Sequence, residues 1–200
     1  MVQRCLTTFF AVLLAACVVS TPASRAEVDG PVGFIERLGV QAIEMLADPA
    51  LTEQEQISEF RRILVAAFDL PTIARFVLGR YWRRATTEER REFESLLEDY
   101  IVTTYAARLG RYRGETLAVG AARGEGDILV ASEIIPHEGP PVRVDWRVRG
   151  GPGSYKIVDV VVEGISMVIT QRSAFASVIQ RSGGRVSGLL SELRKKAGRR

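Results

Sequence analysis

The chain has 200 residues, 46% of them hydrophobic and 8% aromatic, enough for one domain with one sizeable core and unlike a disordered chain. Its 27 basic and 24 acidic side chains leave a formal net charge of +3. Most of the basic residues are interleaved with acids, as in Glu88-Glu89-Arg90-Arg91-Glu92, so a solvated helix face is expected there and nucleic acid is not an expected partner.

Residues 1–26 read as a signal peptide. Arg4 supplies a positive start, an apolar run covers residues 5–19, and Ser24-Arg25-Ala26 offers small residues where a signal peptidase cuts. A run of that length is short for a bilayer span, which needs about twenty residues, and fits a signal core. Cleavage after Ala26 leaves a single domain over residues 27–200, exported to the periplasm. A second route is lipidation, because Leu14-Ala15-Ala16-Cys17 has a lipoprotein-signal pattern. The continuation of the apolar run through Val18 and Val19 favours ordinary cleavage over anchoring at Cys17. Cys5 and Cys17 are the two cysteines, so the mature chain is expected to have no disulfide, thiol chemistry or zinc–thiolate site. His137 is the single histidine, so a multi-histidine metal site is not expected; no metal ligand is nominated, and no cofactor is expected. Loss of Arg4 and Arg25 leaves the mature chain nearly neutral, and no strong pull towards anionic lipid surfaces is expected.

From residue 32 to 47, Phe34, Ile35, Leu38, Ile43 and Leu46 recur at helical spacing, and Asp48-Pro49 ends the helix. Thr52 with Glu55 forms a capping box for a helix reaching about residue 68. Asp69 as N-cap and Pro71 in the first turn restart the chain as a helix with Ile73, Phe76 and Val77, stopping near Gly79. Thr86 with Glu89 opens the longest helix, about 88–109, with Phe93, Leu96, Leu97, Tyr100, Ile101, Tyr105 and Leu109 along one stripe. At Gly114 the period changes to alternation, with strands near 115–122, 126–136, 141–149 and 154–163. Val142, Val144, Trp146 and Val148 alternate with charges, the pattern of a half-buried strand. Ser166 N-caps a helix carrying Met167, Phe175, Val178 and Ile179; Gly183-Gly184 breaks it. A last helix with Val186, Leu189, Leu190 and Leu193 leads into a basic tail over 194–200. Helices, then an antiparallel meander, then helices make an α+β domain.

Groups for catalysis are few. Glu163-Gly164-Ile165-Ser166-Met167 lacks the second glycine of a nucleophile elbow, and no phosphate loop or dinucleotide fingerprint occurs. Asp145, Asp159 and Glu163 could pair as acid and base in an envelope hydrolase, but carboxylates alternating with arginines on strands read as structural. Arg75 and Arg147 are expected to pair with Asp69 or Asp145, or to lie at a pocket mouth. The apolar supply suits either a closed core or a hollow between helices and sheet.

The stretch Phe68-Asp69-Leu70-Pro71-Thr72-Ile73-Ala74-Arg75-Phe76-Val77-Leu78-Gly79-Arg80-Tyr81-Trp82-Arg83-Arg84-Ala85-Thr86 resembles the central signature of the MlaC, or toluene-tolerance, family. Three further stretches are similar: residues 104–112, Val142-Arg143-Val144-Asp145-Trp146-Arg147, and Val162-Glu163-Gly164-Ile165-Ser166-Met167 with Thr170-Gln171-Arg172. The resemblance implies a nuclear-transport-factor-like fold: a curved antiparallel sheet of about four strands against several helices, with an apolar cavity between the layers. It implies a non-enzymatic periplasmic carrier that holds phospholipid tails. Such carriers shuttle lipid between an outer-membrane lipoprotein–porin complex and an inner-membrane MCE-domain ABC transporter, maintaining outer-membrane lipid asymmetry. A hopanoid cargo is the alternative. The large apolar residues in or beside these motifs are the expected lipid contacts: Phe76, Tyr81, Trp82, Tyr105, Leu109, Val144, Trp146, Val160, Ile165, Met167, Phe175 and Ile179.

Overall fold

The computed structural model describes residues 30–109 and 112–198. The signal-peptide reading, with Cys5 and Cys17, lies outside them, as do the last two residues of the basic tail. Four helices come first: α1 Pro31–Ala47, α2 Glu53–Ala67, α3 Leu70–Leu78 and α4 Thr87–Leu109, with a 3₁₀ turn Gly79–Arg83 between the last two. A meander follows: β1 Thr116–Arg123, β2 Ile128–Ile135, β3 Val142–Arg149, β4 Lys156–Val162 and β5 Ile165–Ser166. Helices α5 Met167–Arg181 and α6 Val186–Ala197 close the chain.

The local signals act as their chemistry dictates. Thr52 and Glu55 satisfy each other's backbone N–H groups at the head of α2, and Thr86 and Glu89 do the same ahead of α4. Asp69 accepts from the Thr72 N–H at 3.0 Å and opens α3. Ser166 accepts from the Ile169 N–H at 3.2 Å and opens α5.

The sheet runs in the order β1-β2-β3-β4-β5, and every neighbouring pair is antiparallel. The two-residue β5 adds a fifth strand to the four that alternation predicts. Glu163 and Gly164 both take positive φ, 50° and 78°, the conformation of the tight hairpin turn joining β4 to β5. Register shifts between Val119 and Ala122 on β1 and between Arg147 and Val148 on β3 bend the strands locally. At the far end of the sheet, Asp127 accepts from Arg149 at 2.7 and 3.0 Å. The Arg149 hydrogen bond and charge hold the Asp127 carboxyl below its ordinary range. A depressed folded-state pKa stabilises the fold above the unfolded value, near 3.9, and loses that contribution as pH falls through the folded value. The pair is half-exposed and is worth less than about 1 kcal/mol. Asp127→Asn is therefore expected to lower stability slightly at pH 7, and the gap from the wild type should close as denaturation curves are repeated from pH 5 down to pH 3.

Two hydrophobic clusters form. The larger is helical and centres on Phe93, Leu97, Phe175, Ile179, Leu189 and Leu190. The smaller joins α1 to the sheet through Ile35, Ala67, Val130, Val148 and Ile157, with Leu38, Leu117, Val119, Trp146 and Val160 packed against it. Arg61 on α2 pairs with Glu98 and Asp99 on α4. Arg194 on α6 pairs with Glu92 at 2.5 Å. Among the described residues no helix is long and apolar enough to cross a membrane.

Candidate functional site: an apolar groove under the first helix

Helix α1 lies over β1 and β2 and places one stripe towards them: Ile35, Leu38, Gly39, Ala42, Ile43 and Leu46, spaced i, i+3, i+4, i+7, i+8 and i+11. The sheet answers with Leu117, Ile134 and Trp146. Ile134 stands opposite Leu117, while Trp146 on β3 stands opposite Val130 and Val160. Small residues in the helical stripe leave a groove of about 390 Å³ between the two layers, within the range of roughly 300–1,000 Å³ typical of ligand sites. Gly39 also sets how close the helix comes, because a Cβ there would lie 2.6 Å from Leu117 Cδ2.

Polarity is confined to the part of the wall where the chain enters β1. Tyr112, Glu115 and Thr116 lie there, and Glu115 is the one charged residue among the described groove-lining residues. Its carboxylate accepts from the Arg113 backbone N–H at 2.7 Å, and that bond chiefly holds its pKa below the usual value. The other potentially polar lining group is the Trp146 indole. Its Nε1–H donates to Ser132 Oγ at 2.9 Å, and that hydroxyl donates to the Val144 carbonyl at 2.7 Å. The indole is thus satisfied within the sheet, leaving its ring as apolar groove surface, and the same relay explains a buried serine on an apolar face.

Of the nominated residues whose side chains are described, Trp146 alone lines this groove. Val160 is its cross-strand partner, and Val144 lies on the same sheet face two residues away. Tyr81, Phe175 and Ile179 are buried in the helical cluster, with Trp82 packed against it. Phe76 on α3, Tyr105 on α4 and Ile165 on β5 are exposed, and Met167 is half-buried at the start of α5. Leu109 ends α4, and its side chain lies outside what is described. Most of the residues that sequence reasoning missed are on α1, which carries none of the quoted motifs; Leu117 on β1 and Ile134 on β2, also outside the motifs, complete the apolar wall. The available signal was a helical stripe in which Gly39 and Ala42 interrupt large aliphatics.

The carboxylates do not converge on the groove. Asp145 pairs with Arg143 at 2.9 Å and Arg123 at 3.4 Å. Asp159 accepts from the Ser166 hydroxyl at 2.7 Å and the Val168 N–H at 3.2 Å, completing the cap of α5. Glu163 accepts from the Arg143 N–H at 2.5 Å. The expected pairing of Arg147 is corrected: it reaches Asp159 at 3.9 Å, because the two stand opposite each other on β3 and β4. Asp145 takes Arg143 instead, two residues back on the same face of β3.

The family model described as MlaC protein matches residues 36–195. Toluene tolerance protein ttg2D of Pseudomonas putida is 24% identical over 182 residues, covering 86% of this chain and 81% of that protein. The intermembrane phospholipid transport system binding protein MlaC of Haemophilus influenzae is 24% identical over 127 residues, covering 60% of this chain and 58% of that protein. A solved structure of the phospholipid-binding protein from Ralstonia solanacearum in complex with a phospholipid is similar with a TM-score of 0.74 and 25% identity, over 83% of this chain and 96% of that one.

Proposed function

Because the chain belongs to the MlaC protein family, we propose that it is a periplasmic phospholipid carrier whose groove beneath α1 receives acyl chains. The observation that carries this reading is the groove itself: a half-open slot with aliphatic and indole walls and its polar groups gathered at the start of β1. Both the Haemophilus relative, named for intermembrane phospholipid transport, and the Ralstonia structure, which holds a phospholipid, support it.

The chemistry of carriage needs no reacting group. Each buried methylene is worth about 0.8 kcal/mol, so two tails with about thirty methylenes between them represent some 25 kcal/mol of hydration cost. A bare lipid therefore crosses water slowly. A carrier has only to offer apolar surface comparable to a membrane's, and a slot with one polar region would leave the head group in solvent. The engagement of Asp145, Asp159 and Glu163 with structural partners fits a carrier better than a hydrolase. Exchange with an inner-membrane MCE-domain ABC transporter and an outer-membrane lipoprotein–porin complex belongs to the same proposal.

Native mass spectrometry of protein purified without detergent, followed by organic extraction, tests it. The expected result is an adduct of phospholipid mass in about a 1:1 ratio. Protein that carries no lipid and takes none from liposomes would sink the carrier reading, and a phosphate-free polycyclic lipid would replace phospholipid as the cargo.

A further inference from the structure

A second hollow, of about 640 Å³, shares none of the described residues with the groove. Thr72, Arg75, Phe76, Gly79, Arg80 and Arg83 follow one stripe of α3 and the 3₁₀ turn, and Trp82, Arg149 and Arg172 complete the wall. Five arginines thus gather around two aromatic side chains, Phe76 and Trp82, with no carboxylate among the described lining residues. Asp127 answers Arg149. Among the described residues, Arg75, Arg80, Arg83 and Arg172 have no ion-pair partner.

The arrangement is held in place. Arg172 lies over the Phe76 ring at 5.2 Å, and its guanidinium occupies the space that a Cβ at Gly79 would need, 2.8 Å away. Arg80 donates to the Tyr81 hydroxyl at 2.9 Å. Large apolar side chains stand exposed beside these charges: Phe76 is 41% exposed, and Ile169, one helical turn before Arg172, is 57% exposed. Ile165, just ahead of α5, is 59% exposed.

Like charges clustered without counter-ions call for an anionic partner, and guanidinium matches phosphate by paired hydrogen bonds. Bulky apolar side chains left in water among those cations favour a surface with phosphates outside and hydrocarbon just beneath. We propose that this face, built from α3, the 3₁₀ turn and the start of α5, docks the protein on bilayers bearing anionic phospholipid head groups. The inference deepens the carrier reading and rests on it: the docked face is where a carrier would wait to exchange lipid. Net charge hides this feature, because the acids that balance these arginines lie elsewhere on the chain.

Co-sedimentation with vesicles tests the proposal. The wild type is expected to bind phosphatidylglycerol–phosphatidylcholine vesicles well above pure phosphatidylcholine, and to be released near 1 M NaCl, where the screening length falls to about 3 Å. Each interfacial arginine contributes about fivefold, so the triple variant Arg75→Ala, Arg83→Ala, Arg172→Ala should bind about a hundredfold more weakly. A control triple, Arg181→Ala, Arg185→Ala, Lys195→Ala, removes three exposed cations outside the hollow and should bind as the wild type does. Circular-dichroism melting of both triples establishes that they fold. A groove variant that carries no lipid should still sediment with anionic vesicles, which separates failure of this proposal from failure of the carrier reading. Equal binding of the wild type to both vesicle types, an unchanged Arg75/Arg83/Arg172 variant, or vesicle binding that follows groove occupancy overturns the proposal.

Discussion

Two aspartates placed in the groove walls, Leu46→Asp with Ile134→Asp, are expected to reduce co-purified phospholipid at least a hundredfold while leaving a folded protein. Leu46 is on the last turn of α1 and Ile134 is on β2, and both line the groove. Both are also partly solvent-exposed, so ionised side chains there can remain hydrated and the substitutions should cost little stability. Once tails enter, each carboxylate faces hydrocarbon. A charge among acyl chains costs about 2.5–3.5 kcal/mol even on lenient scales, and two such costs exceed the hundredfold mark. Lipid phosphorus per mole of protein reads the result directly. The matching asparagine pair should lose less, because a neutral amide costs less to desolvate. An unchanged lipid content in the aspartate pair would move the tails out of this groove.

The second large effect concerns stability rather than cargo. Phe93→Ala is expected to cost about 3–5 kcal/mol, the range for emptying a buried aromatic site, and to lower Tm by about 6–20 °C. Phe93 is fully buried and meets Phe175 edge-on, with ring centroids 5.7 Å apart. Tyr100 meets Phe175 in the same way at 5.6 Å, so one aromatic cluster joins α4 to α5. Below its lowered Tm, the variant should carry the wild-type quantity of lipid per folded molecule. That outcome would identify the helical cluster as a closed core. A loss of lipid out of proportion to the loss of folded protein would instead bring Phe175 and Ile179 back as tail contacts.

How far the fold could be read from the sequence follows from the range of the interactions that shape it. Capping boxes are local, so Thr52 with Glu55 and Thr86 with Glu89 locate the heads of α2 and α4 correctly. Strand alternation is nearly as local, and the four long strands fall within about two residues of their expected limits. What escaped has no local period. Strand β5 is two residues long and exists because the Glu163–Gly164 turn folds it back on β4. The 3₁₀ turn Gly79–Arg83 is too short to carry a pattern of its own.

The groove was less legible for a different reason. Alternation on β3 identifies which face of the strand is apolar, but not which helix covers it. Helix α1 covers the β1–β2 end of that face, whereas α3 and α5 pack on each other and contact β4. The most recognisable segment, from Phe68 to Thr86, therefore contributes Tyr81 to the helical core and Phe76 to an exposed, arginine-lined face. Residue size misled as well. Large apolar side chains are good candidates for filling a core, but a groove needs the small ones, and Gly39 and Ala42 open it.

Photolabelling tests the central claim most directly. Protein loaded with a phospholipid carrying a diazirine near the end of one acyl chain is irradiated, digested and sequenced by mass spectrometry. Adducts are expected on the α1 segment from Leu38 to Leu46 and on the strand peptides containing Leu117 and Trp146, the walls of the groove. Labelling concentrated on Phe175 and Ile179, or around Phe76 and Arg172, with α1 unlabelled, would contradict a tail-binding groove beneath the first helix.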